Sequence, residues 1–122
     1  MGLEYQTAVR VSAGFGGGMY LGSACGAVTG AILAIGLKYG GVGMQSGVRT
    51  ARLTQAFAER FKATHGSINC TELLGGVDLS KLDFDKPEVF RALLEKNVFA
   101  VCPGLVRDAT QIVDDMLHDA GK

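Results

Sequence analysis

Val11–Leu37, VSAGFGGGMYLGSACGAVTGAILAIGL, is the stretch on which the fold turns: 27 residues without a charged side chain, bounded by Arg10 and Lys38. Glycines at 14, 18, 22, 26 and 30 recur every four residues. Each such step turns a helix by about 400°, so the five drift by about 160° and share no narrow face of one straight helix. The run therefore divides at Gly14–Gly18 (GFGGG), where glycine favours irregular backbone, and resumes as an apolar helix over Ser23–Leu37. Ser23 is positioned to cap that helix, which puts Cys25 in its first turn among free N–H groups that favour a thiolate.

Working outward, residues 3–13 read as a helix with Leu3, Tyr5, Ala8 and Val11 inward. The Ser23–Leu37 helix is apolar nearly all round, as a central helix is, and Gly26 and Gly30 admit a close neighbour. Gly40, Gly41 and Gly43 break it. From Ser46 to Thr64, Val48, Leu53, Ala56, Phe57 and Phe61 recur at helical spacing, with the basic residues as a solvated face, and Gly66 stops the helix. In SINCTELLGG, Ser67 or Asn69 caps a short turn and Glu72 completes a capping box, which puts Cys70 in a first helical turn. Asp85 and Pro87 open a helix to about Asn97 with Val89, Phe90, Leu93 and Leu94 inward. The last helix opens at Cys102-Pro103-Gly104 and carries a stripe of Leu105, Val106, Ala109, Ile112, Val113, Met116 and Leu117. The expected fold is all-α: one compact domain over 1–122, a bundle of five or six helices around a Gly/Ala-rich central helix.

Composition narrows the function classes. Twelve basic and twelve acidic residues in a chain of 122 leave no net charge, so the electrostatic footprint of a nucleic-acid binder is missing. Three cysteines, an odd number, fit a reducing compartment, and the start MGLEYQTAVR lacks the pattern of a signal peptide, so the cytoplasm is expected. The uncharged run is long enough to span a bilayer, but its eight glycines and the GFGGG break leave 15 residues as helix, without flanking basic clusters or aromatic belts; a membrane span is not expected.

Cys25, Cys70 and Cys102 all read as lying at helix starts, where unpaired N–H groups lower a thiol pKa. Three such placements point to one shared thiolate site, as redox partners or as metal ligands, although spacings of 45 and 32 residues match no local metal motif. The competing reading is free cysteine packed as a small apolar residue, in a non-catalytic helical interaction module. His65, five residues before Cys70, is a candidate further ligand but reads as an exposed helix end, and His118 as a surface residue. GFGGGMYLGS lacks both GxxxxGK[ST] and GxGxxG, which argues against a nucleotide site. No Ser/His/Asp set or carboxylate pair supports a hydrolase.

GFGGGM, CGAVTGAILAIGLKYG, GSINCTELLG and CPGLVRDA, in that order, resemble the redox-active protein family named for its CGAxxG motif and additional isolated cysteines. The resemblance implies four cysteines, of which Cys25, Cys70 and Cys102 match the last three. The first, in an N-terminal helix, has no counterpart here. Similarity extends to the cysteine-bearing domain of split-Soret cytochrome c, which implies an iron–sulfur cluster at Cys25, Cys70 and Cys102 with a fourth ligand from elsewhere. No CxxCH is present for a c-type haem. The function expected from the resemblance is redox or electron transfer with an unknown redox partner. Uncovered apolar surface beside Val11–Leu37 implies a homo-oligomer.

Overall fold

The computed structural model describes residues 3–120. It is all-α, with helices α1 (Tyr5–Ser12), α2 (Gly26–Tyr39), α3 (Met44–His65), α4 (Cys70–Leu73), α5 (Pro87–Glu95) and α6 (Cys102–Ala120) and no sheet among the described residues. The main core is formed by α2, α3 and α6: Val28, Ala31 and Ile35 meet Phe57 and Phe61 on one side and Leu105, Ala109, Val113, Met116 and Leu117 on the other. A second, smaller core gathers Cys70, Leu79 and Leu93 with Leu74, Val77, Leu82, Val98 and Phe99. No described helix is long and apolar enough to cross a membrane.

Three expectations from periodicity give way to packing. First, α1 buries no side chain: Leu3, Tyr5 and Val11 are exposed, Tyr5 at 81%. Second, α2 is buried on one stripe and not all round. Leu33 is 40% exposed and Leu37 also faces out, because α3 and α6 leave that part of the helix surface uncovered. Gly26 does admit a neighbour, a Cβ there lying 3.1 Å from the Phe15 carbonyl, whereas nothing approaches Gly30 within 4 Å. Between α2 and α6 this leaves a shallow apolar groove of about 290 Å³, lined by Gly30, Ala34, Val106 and Val113 among others. Third, of the four residues expected inward on α5, Leu93 is buried and Val89 half-buried, but Phe90 and Leu94 are exposed; Val48 on α3 and Val106 on α6 are exposed as well.

The GFGGG segment is irregular in a specific way. Gly17, Gly18, Met19 and Tyr20 form one left-handed turn, with φ of 59°, 63°, 63° and 54°. Left-handed backbone costs a residue with a Cβ roughly 1–2 kcal/mol, so Met19 and Tyr20 are held there by their surroundings. Tyr20 supplies part of that hold: its ring meets Phe84 edge-on at 5.7 Å, Phe84 packs on Phe90 at 6.4 Å, and Phe90 stacks on Phe99 at 6.0 Å. The Tyr20–Phe84 pair adds about 0.5–1.5 kcal/mol beyond area burial, which offsets part of the strain.

Candidate functional site: three cysteines on one cavity

The start of α2 is set by a backbone clamp. Cys25 N–H donates to the Ile68 carbonyl at 2.7 Å, and Cys70 N–H donates to the Ser23 carbonyl at 2.6 Å, an isolated antiparallel bridge centred on Ala24 and Asn69. Ser23 also donates its N–H to Gly18 at 3.0 Å. Its backbone is thus committed to the bridge, and it does not cap α2. The helix begins three residues later than expected, at Gly26, with Cys25 itself as N-cap and no side-chain cap bond. Cys25 lies outside the first turn and against the bridge.

Asn69 is the cap of α4 that the sequence anticipates: its Oδ1 accepts from Glu72 N–H at 3.1 Å. Cys70 is the first residue of that helix, and Cys102 the first of α6, following a turn in which its N–H donates to the Phe99 carbonyl at 3.1 Å. Glycine-rich backbone closes over the pair from the other side. A Cβ on buried Gly18 would lie 2.8 Å from Cys70 Cβ, so the left-handed turn packs directly on the second cysteine.

All three cysteines line a single cavity of about 350 Å³, which adjoins the α2–α6 groove; Phe15, Leu74, Phe99 and Val106 give it apolar walls. Cys25 is 8% exposed and Cys70 6%, Cys102 is half-buried, and all three are free thiols. Cys25 belongs to the main core and Cys70 to the smaller one, so the cavity sits where the two cores meet. Of the other candidates, His65 is elsewhere. Its ring packs at a tilt against Phe61 with centroids 4.7 Å apart, and its Nε2 lies 3.0 Å from Asp108 Oδ2, at ion-pair distance but without hydrogen-bond alignment. It is half-buried, not an exposed helix end, because α6 passes beside it. His118 is exposed.

Helix N-termini do not dominate the electrostatics. Burial pushes the Cys70 thiol up to about 11, with the negative charge of Cys25 and then of Cys102 adding to the rise. Cys102 is raised too, by burial first and by Cys25 second. The expectation of lowered pKa values at all three helix starts therefore fails at Cys70 and Cys102. Desolvation outweighs the end field of a four-residue helix at Cys70, and at Cys102 the mutual repulsion of neighbouring thiolates adds to it.

This has a consequence for alkaline stability. An unfolded cysteine loses its proton near the ordinary 9.0, whereas folded Cys70 keeps it to about 11. Between these values the folded state binds more protons than the unfolded one, so stability present below pH 9 is lost as pH rises towards 11, by roughly 1–2 kcal/mol. Urea midpoints at about pH 8 and about pH 10.5 should show a larger alkaline loss in the wild type than in Cys70→Ala. Equal losses would mean that Cys70 titrates normally.

What the cavity could hold depends on donor type and spacing. Three thiols are soft donors of the kind that bind iron–sulfur clusters, and their mutual repulsion is relieved by a cationic occupant. No three His, Cys, Asp or Glu side chains among the described residues are grouped closely enough to hold a single metal ion. Sequence reasoning missed Ser12, Phe15, Leu74 and Phe99 as cavity residues. The available signal was their closeness in sequence to the glycine run and to the cysteines.

No curated protein and no solved structure matches the chain. A family model does: the one described as "Putative redox-active protein (C_GCAxxG_C_C)" matches residues 1–116, a span that contains Cys25, Cys70, Cys102 and the cavity they line, and the chain belongs to that family.

Proposed function

We propose that the protein is an electron-transfer protein whose Cys25, Cys70 and Cys102 together hold an iron–sulfur cluster in the shared cavity. The observation that carries this reading is the meeting of three free thiols, from three separate helix starts, on one cavity wall. A bound cluster supplies reversible one-electron transfer at thiolate-ligated iron. The chain supplies the rest. The Ala24–Asn69 bridge ties together the backbone segments that carry Cys25 and Cys70. Phe15, Leu74, Phe99 and Val106 exclude water and lower the local dielectric. Cys70 and Cys102, both raised in pKa, release their protons when a cation enters, which makes loading stronger at higher pH.

The test is anaerobic reconstitution with ferrous iron and sulfide. Broad visible absorption that bleaches on reduction, with loss of thiol reactivity at all three cysteines, is the expected result. A second reading, a non-catalytic helical module with structural cysteines, is favoured by the deep burial of Cys25 and Cys70 and the high pKa of Cys70. Three titratable thiols and no chromophore after reconstitution would select it.

A further inference from the structure

Cys70 is the most deeply buried of the three cysteines, and part of its cover is bare backbone. The Cβ position of Gly18 lies 2.8 Å from Cys70 Cβ, so no side chain fits between them, and the neighbouring Gly17 lines the cavity. Both belong to a strap, Gly17 to Gly22, whose two ends are glycines at positive φ, 59° at Gly17 and 69° at Gly22. Between them Met19 and Tyr20 hold left-handed backbone although neither side chain belongs to a core, and both are exposed, as is Leu21. The far end is pinned, since Thr71 Oγ1 donates to the Gly22 carbonyl at 3.0 Å. Across the base of the strap Ser23 N–H donates to the Gly18 carbonyl at 3.0 Å. The middle is held by Tyr20, whose ring meets exposed Phe84 and whose hydroxyl oxygen lies 3.5 Å from the Cβ position of Gly16, on the cavity wall.

A residue with a Cβ keeps left-handed backbone only while its surroundings over-determine it, and segments with few buried apolar contacts open locally at little cost. The strap meets both conditions, because it stores strain in Met19 and Tyr20 and the side-chain contact opposing that strain is an exposed pair of rings. We propose that the strap is a gate over Cys70, latched by Tyr20 on Phe84, and that its opening is the step that exposes the Cys70 thiol. On opening, Met19 and Tyr20 relax to ordinary backbone and the flanking glycines absorb the change in φ. The bond from Cys70 N–H to the Ser23 carbonyl lies beyond the strap and stays made. Cys102, half-buried on the same cavity, needs no such opening. The gate goes beyond the proposed cluster: it operates in the protein without iron as well, where it sets which thiol a reagent reaches first.

The test is alkylation of the reduced, iron-free protein with iodoacetamide, the label at each cysteine being followed by mass spectrometry in wild type, Tyr20→Ala, Phe84→Ala and Tyr20→Phe. All four are measured at one pH, so that the raised pKa of Cys70 cancels in the comparison. Both alanine variants should speed labelling of Cys70 by about two- to ten-fold, the factor that loss of one aromatic pair implies, and leave Cys25 and Cys102 at their wild-type rates. Tyr20→Phe keeps the ring and should keep the wild-type rate at Cys70. Phe84→Ala removes the latch without altering the strap, so its effect cannot come from a change of backbone preference at position 20. Unchanged Cys70 labelling in either alanine variant would overturn the gate. Equal acceleration at all three cysteines would overturn it too, because the substitutions would then be loosening the whole fold.

Discussion

Gly18→Ala is expected to destabilise the protein by roughly 2–5 kcal/mol, whereas Gly30→Ala, twelve residues on in the same uncharged run, should stabilise it by about 0.5–1 kcal/mol. The opposite signs follow from backbone and space. Gly18 has φ +63°, in the left-handed region where a Cβ is strained, and that Cβ would come within 2.7 Å of the Ser23 carbonyl oxygen and 2.8 Å of Cys70 Cβ. Neither neighbour can give way. The Ser23 carbonyl accepts from Cys70 N–H, so moving it opens the bridge that carries two of the cysteines. Gly30 is mid-helix in α2, exposed, with nothing within 4 Å, and alanine there gains helix propensity without a clash. Urea denaturation of both variants checks the pair. A Gly18→Ala protein as stable as wild type would mean that the left-handed turn is not part of the folded state. A destabilised Gly30→Ala would mean that something occupies the open side of α2.

The two glycines show why the fold was more legible than the site. Helix periodicity and end signals read from the sequence account for all six helices, including the Asn69 cap and the Gly66 stop, since those depend on residues within one or two turns. Burial was less legible. Whether Leu33 or Phe90 is covered depends on which side another helix occupies, and periodicity alone does not carry that. Ser23 is the sharpest case. By composition it is a good cap, yet its carbonyl is taken by Cys70, 47 residues away, and the helix starts after Cys25 instead. The same long-range pairing brings Cys25 and Cys70 to one cavity, a meeting that no local spacing encodes. The pKa direction went the other way from the local argument because desolvation is a property of the assembled core, while the helix end is visible in sequence.

That displaced cap makes Cys25→Ser the most discriminating substitution at the site. Cys25 is the N-cap of α2 and its thiol makes no cap bond, whereas serine is among the preferred N-cap residues and its oxygen can accept from a first-turn N–H. The replacement therefore removes the sulfur while maintaining or improving the helix end. Loss of a small apolar contact in the main core opposes this, and the net change in stability should stay within about 1 kcal/mol with helical content unchanged. Cluster binding should respond very differently. With one of three thiolates gone, and a neutral hydroxyl in its place, iron retained after anaerobic reconstitution should fall at least about ten-fold, and the visible bands should disappear. A purely structural cysteine gives the reverse pattern, because no iron is bound to begin with and the only readout that moves is stability. If Cys25→Ser keeps the iron content, the spectrum and the reduction behaviour of wild type, Cys25 is not a ligand, and CGAVTG is a packing motif where α2 meets the bridge.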